Sequence, residues 1–298
     1  MERLIKSTAA YAVFSQDAAR GRLSHAYLLH FPDPKNARAA CKIFAECVFA
    51  DKGRVRSESL QDLIIYPDDG KKYTADGVTD IIGDSALRPI GGDKKLYILL
   101  NFESASAIVQ NKLLKTLEEP LEGVHFLLCA SSLAPVLDTV KSRSKLLTVP
   151  PFSADEIYAA LERSNPDPLN RQAAESCNGV LGAAENMVTG GWFQKVISAA
   201  EEICSANSPR SIAELSQKYG DIQYKRELLS EMERLYFSAL KGEGKLAGVW
   251  ERGTLLFALE SVTRANADVT FNAYFQGLLY DFMLKVQKEN DRWLKLSE

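Results

Sequence analysis

Short apolar runs alternate with longer stretches of helical spacing through the first half of the chain. Tyr27-Leu28-Leu29, Leu63-Ile64-Ile65-Tyr66, residues 96–100, Phe126-Leu127-Leu128-Cys129 and residues 146–149 each predict a strand, the second stopped by Pro67. Between them, residues 38–50 have helical composition and apolar spacing. Residues 104–118 carry Val109, Leu113 and Leu117 at four-residue steps, one face of a helix. Strands that are apolar without alternation, set between helices, predict a mostly parallel sheet covered on both faces. The segment from about 68 to 95 is rich in glycine and charge, with exposed turns expected at Asp68-Asp69-Gly70-Lys71-Lys72 and Gly91-Gly92-Asp93.

Pro150-Pro151 breaks this pattern and marks an expected domain edge. Ser153, with Glu156 three residues on, is a capping-box start for a helix. Residues 153–198 then read as a small helical domain, with turns at Asn165-Pro166-Asp167-Pro168 and Asn178-Gly179. Beyond 205 only Pro209 interrupts long helical patterns. In the last of them Phe271, Phe275, Leu278, Phe282 and Val286 recur at three- and four-residue steps, one apolar face for a bundle or a partner chain. The expected division is 1–150, 151–200 and 201–298.

Composition narrows the function classes. A length of 298 residues allows about two domains by size alone, with one or three also admitted. With 36 Lys plus Arg against 39 Asp plus Glu, the formal charge of −3 excludes a strongly basic nucleic-acid coat but not a local basic patch. No stretch approaches the roughly 18 apolar residues of a membrane span. The first six residues lead into no signal core, so a cytoplasmic protein without membrane contact is expected. Five widely spaced cysteines (Cys41, Cys47, Cys129, Cys177, Cys204) read as reduced thiols. With no CxxC pair and only His25, His30 and His125, no metal site is expected.

Three blocks carry a resemblance. Asn111-Lys112-Leu113-Leu114-Lys115-Thr116-Leu117-Glu118-Glu119-Pro120 resembles the LLKxLEEP segment of bacterial clamp-loader subunits, the AAA+ proteins of the DNA polymerase III holoenzyme. Asp138-Thr139-Val140-Lys141-Ser142-Arg143-Ser144 is similar to the family's T-I-x-S-R-C block, and Arg22 to Leu29 to the lead-in to its nucleotide loop. The resemblance is strong over 22–150 and weak beyond 200. It implies an AAA+ RecA-like α/β domain at 1–150, a small helical lid at 151–200 and an all-helical collar at 201–298.

Departures from the family pattern are informative. A working P-loop, GxxxxGK[ST], cradles phosphate with backbone N–H groups, a lysine and a hydroxyl. Here Phe31-Pro32-Asp33-Pro34-Lys35-Asn36-Ala37-Arg38 has lost both glycines. Ala37 stands at the lysine position, Arg38 at the hydroxyl position, and Pro34 removes an N–H. The acidic pair at the end of the third strand is replaced by Leu100 and Asn101, with Glu103 three residues late. Leu181 stands about where the lid of a working ATPase has an arginine, and the family's four-cysteine zinc module is reduced to Cys47.

The pattern resembles the delta-prime branch, the stator, rather than the ATP-hydrolysing gamma/tau branch or delta. That resemblance implies a chain that is not an enzyme on its own and carries no cofactor. It would work inside a complex with DNA-directed DNA polymerase activity. Its partners would be gamma/tau and delta subunits and, through the complex, the sliding clamp and primed DNA. It also implies that Arg143 serves as an arginine finger toward ATP on a neighbouring subunit, with Ser142 shaping its loop. Lys141 and Lys145 would add positive potential. Glu118 and Glu119 lack a nearby histidine, metal ligand or nucleophile and are not expected to be catalytic, and His25 is expected to pack or hydrogen-bond beneath the loop. Two other classes stay open: an ATPase with a divergent loop, and a DNA-binding accessory protein.

Overall fold

The computed structural model describes residues 1–51, 54–55, 61–68, 70–268 and 274–297. In chain order these begin with α1 (Glu2–Lys6), α2 (Ala9–Ala19), β1 (Ala26–His30), α3 (Ala37–Phe49) and the two-residue strands β2 (Ala50–Asp51) and β3 (Arg54–Val55). There follow β4 (Leu63–Tyr66), α4 (Ala75–Ser85), β5 (Lys95–Leu99), α5 (Ala107–Glu118), β6 (Val124–Ala130), α6 (Asp138–Lys141), β7 (Lys145–Thr148) and α7 (Ala154–Ser164).

Five strands form one parallel sheet in the order β4-β5-β6-β1-β7. β1 lies inside it, with Leu28 opposite both Leu128 of β6 and Leu146 of β7. Alternate strand residues face opposite layers, as the two-residue repeat requires. Tyr27, Leu29, Leu96, Ile98, Leu127 and Cys129 pack with Phe14 and Phe44 of α2 and α3. Ala26, Leu28, Tyr97, Leu99, Phe126 and Leu128 pack with Val78 of α4 and with Val109, Leu113 and Leu117 of α5. Both faces are covered at the interior strands β5, β6 and β1, which is why these read as continuous apolar runs.

The structure adds what the pattern did not show. The glycine- and charge-rich segment contains α4, capped by the Thr74 hydroxyl accepting from the Gly77 N–H, with Val78, Ile81 and Ser85 buried. α5 starts at Ala107 rather than at 104, because Ser106 caps it and a single 3-10 turn, Phe102–Ser104, precedes it. Ser153 and Glu156 form the expected reciprocal capping box of α7.

The chain divides into two compact units, Met1–Pro166 with Cys177–Glu185, and Asp167–Ser176 with Asn186–Glu298. The second is helical, with α8 (Asn170–Ser176), the end of α9 (Leu181–Thr189), α10 (Phe193–Cys204), α11 (Pro209–Tyr219), α12 (Lys225–Leu240), α13 (Arg252–Asp268) and α14 (Phe275–Ser297). α12 packs on α10 and α13, and α14 on α11 and α13. On α14, Phe275, Leu279, Phe282, Met283 and Val286 are buried while Leu278 is half-buried; Phe271 lies outside the described residues. Within this unit the fully buried carboxylate of Glu231 accepts from Arg234 and from the Ser176 hydroxyl at 2.9 Å.

Candidate functional site

The β1–α3 loop leaves the carboxyl end of an interior strand, where open parallel sheets place their ligands. Its geometry is not that of a phosphate cradle. Asp33 is 2% exposed and turns back into the loop. Its Oδ1 accepts from the Asn36 N–H at 3.2 Å, and its Oδ2 from the Asn36 side-chain amide at 2.9 Å. Lys35 pairs with Glu185 at 3.0 Å, and Arg38 reaches the Pro67 carbonyl at 3.0 Å. The basic side chains of the loop thus have partners within the chain.

The neighbouring strand ends are equally altered. Leu100 is buried, and Asn101 adopts the left-handed conformation that starts the 3-10 turn. Glu103 Oε1 accepts from the Ser131 hydroxyl at 2.5 Å, while Oε2 is buried without a hydrogen-bond partner among the described residues. Leu181 is buried at the start of α9. Cys47 donates its thiol to Tyr11, and burial raises its pKa, which suits packing rather than metal binding. Among the described residues no group of three or more His, Cys, Asp or Glu side chains could hold a metal ion.

Arg143 lies just after α6, in the short turn that leads into β7. Its Nε donates to Glu118 Oε1 at 2.6 Å, Nη2 contacts the same oxygen, and Nη1 donates to the Thr139 carbonyl at 2.9 Å. The side chain remains 32% exposed. Ser142 closes α6 by donating its hydroxyl to the Thr139 carbonyl at 3.1 Å, and Ser144 Oγ is buried without a partner among the described residues. The flanking lysines are paired too. Lys141 meets Asp138 at 3.1 Å, and Lys145 meets Asp17 at 2.5 Å, a contact that draws the Asp17 carboxyl below its usual range. The expected positive potential around Arg143 is therefore largely offset.

Sequence reasoning missed the residue that holds this region together. Gln110 is 1% exposed. Its amide donates to the carbonyls of Ala105 (2.9 Å) and Pro135 (3.1 Å), and its oxygen accepts from the Leu137 N–H (2.9 Å). It joins α5 to the start of α6, and hence to the turn bearing Arg143. A polar residue on the otherwise apolar Val109–Leu113–Leu117 stripe was the available signal. The expectation for His25 is corrected. It is exposed and sits before β1, at the end of the strand opposite the β1–α3 loop; the packed imidazole is His125, whose Nδ1 lies 3.0 Å from the Ser24 carbonyl. A strand starting at Ala26 leaves position 25 outside the sheet layers.

Residues 6–153 match the protein family described as "DNA polymerase III, delta subunit". Over residues 6–153 the chain belongs to the DNA polymerase III delta/delta'-related AAA+ clamp-loader family. It is 27% identical over 179 residues to the DNA polymerase III subunit delta' of Bacillus subtilis, covering 56% of this chain and 54% of that protein. It is likewise 27% identical over 171 residues to the delta' subunit of Pseudomonas aeruginosa, covering 52% of each. The chain spans about half the length of these relatives. Among solved structures, a DNA polymerase III gamma subunit-related protein of Thermotoga maritima is 16% identical, with a TM-score of 0.44 over 94% of this chain and 99% of that one.

Clamp-loader family membership fits a parallel sheet followed by mostly helical elements. Among the described residues no helix is long and apolar enough to cross a membrane. Two family blocks that are separate in sequence, the one ending in Glu118 and the one holding Arg143, meet in space.

Proposed function

We propose that this chain is a delta-prime-type subunit of a clamp loader, a stator that helps load the sliding clamp on primed DNA and supplies Arg143 in trans to ATP on a neighbouring gamma/tau subunit. One observation carries the reading: a nucleotide loop with no phosphate-binding chemistry, its Asp33 buried and its Lys35 paired, on a chain that keeps a partly exposed arginine in the family's finger block. A guanidinium keeps its charge at working pH and forks onto phosphate oxygens. Offered across a subunit boundary, it stabilises the charge that develops on a transferring γ-phosphoryl group.

In this reading Ser142 shapes the turn that presents Arg143, and the chain itself holds neither nucleotide nor metal. It is not an enzyme alone, acts in the cytoplasm, and contributes to the DNA polymerase activity of the whole assembly. Residues 1–150 form the AAA+ domain, 151–200 the lid and 201–298 the collar, which joins gamma/tau and delta.

The test is the ATPase turnover of a reconstituted loader, with and without clamp and primed DNA, comparing wild type with Arg143→Ala in this chain. A loss of about tenfold or more in stimulated turnover, with assembly intact by size, is expected. Unchanged turnover would remove the finger role. Hydrolysis by the isolated chain would favour a divergent ATPase. Steeply salt-dependent DNA binding by the isolated chain would favour a DNA-binding accessory protein.

A further inference from the structure

We infer that Asp33 is a built-in anion: a carboxylate of the chain itself, held where a phosphate-binding loop receives its ligand, fastening the segment Cys177–Glu185 to the β1–α3 loop. The inference stands on the geometry of that loop and does not depend on the role given to Arg143.

A carboxylate removed from water must find hydrogen-bond donors or opposite charge. Asp33 is 2% exposed, and the nearest lysine in sequence, Lys35, is committed to Glu185. The donors are N–H groups: the Asn36 backbone (3.2 Å), the Asn36 side-chain amide (2.9 Å) and the Gly182 backbone (2.8 Å). Asn36 immediately precedes α3, and Gly182 is in the first turn of α9. One carboxylate thus serves the starts of two helices, where unpaired N–H groups and the positive dipole end favour an anion.

The fit leaves no room for a larger residue opposite. A Cβ on Gly182 would lie 2.3 Å from Asp33 Oδ1 and 2.9 Å from the Lys35 Cβ. Pro32 and Pro34 flank Asp33 and fix the backbone on both sides. Glu185 adds a second clasp, accepting from Lys35 at 3.0 Å and from the Asn36 side chain at 3.4 Å.

Two consequences follow. An incoming phosphate would meet a buried negative charge on donors already in use, so the loop is closed to nucleotide by occupation as well as by its lost lysine. The docking of Cys177–Glu185 is also independent of any nucleotide, because its ligand is covalently part of the chain.

The test uses the full chain with Asp33→Ala and Asp33→Asn. It reads hydrogen exchange across 177–185 and the thermal midpoint, in sodium formate against sodium chloride at equal ionic strength. In Asp33→Ala, exchange at Gly182 should rise by about tenfold or more. Formate, a carboxylate small enough for the vacated space, should slow it again and raise the midpoint saturably. Chloride should not, and wild type should respond alike to both salts. Unchanged exchange in Asp33→Ala, or equal effects of formate and chloride on that variant, would overturn the inference. Should Asp33→Ala not fold, the near-isosteric Asp33→Asn decides: faster exchange at Gly182 supports the inference and unchanged exchange defeats it.

Discussion

The guanidinium of Arg143 is held by the carboxylate of Glu118, a residue 25 positions earlier that ends α5. Glu118 is 46% exposed, and a partly exposed pair of this kind contributes about 1 kcal/mol or less to folding. Its effect is on where the guanidinium points. In Glu118→Ala the thermal midpoint should barely move. If Arg143 reaches a partner's phosphate, stimulated ATPase turnover of the reconstituted complex should fall. A double-mutant cycle with Arg143→Ala checks the route: the double variant should be no worse than Arg143→Ala alone. Additive losses would mean that Glu118 acts elsewhere.

Gln110→Leu keeps the bulk of the side chain but leaves the Ala105 and Pro135 carbonyls and the Leu137 N–H without their partner. Unmet buried groups of this kind cost about 1–3 kcal/mol together with the lost bonds. Urea unfolding should show that loss. A variant as stable as wild type would mean that water or backbone shifts replace the amide.

His125 links stability to pH. Burial holds its imidazole below the ordinary value of 6.5, against the opposing hydrogen bond to the Ser24 carbonyl. Below 6.5 the unfolded chain takes up a proton that the folded chain refuses. Stability should therefore fall as pH drops through that value and level off once the folded-state group also protonates. Urea midpoints measured between about pH 7.5 and 5 should decline less steeply in His125→Gln. Equal slopes would assign the decline to other groups.

In the helical unit, Arg234 and Glu231 are bonded through Nε and Nη2, and that bonding raises the Arg234 pKa. Arg234→Met removes the cation and leaves the fully buried Glu231 carboxylate without it. A loss of about 3–5 kcal/mol is expected, whereas Glu231→Gln, which removes the buried charge itself, should cost less. Chemical denaturation of the two variants gives the order, and the reverse order would show that the carboxylate finds other donors.

How much of this was legible follows from the kind of signal each element carries. The core strands were readable because both sheet faces are covered, so their apolar runs have no polar interruptions. α4 was not, because the exposed Asp76, Asp80 and Gly83 interrupt the pattern and hide the Val78–Ile81 stripe. The failed nucleotide loop was readable residue by residue, since glycine and lysine have no substitutes in that chemistry. Its replacement was not. That Asp33 would turn inward and find the Gly182 N–H depends on a contact across 149 positions, which spacing does not encode. The pairing of Arg143 with Glu118 was hidden for the same reason, although both residues stood within recognisable blocks.

The pairing of Lys141, Arg143 and Lys145 with Asp138, Glu118 and Asp17 changes how this edge of the sheet looks from a distance. Three cations in five residues resemble a magnet for anions, yet each field is closed within the chain. Beyond about a Debye length, roughly 8 Å at physiological ionic strength, little attraction remains to draw in a charged neighbour. A partner docking here would gain little speed from long-range steering. Its encounter rate at this edge should be nearly insensitive to added salt, and recognition would rest on shape and on contacts made only at short range.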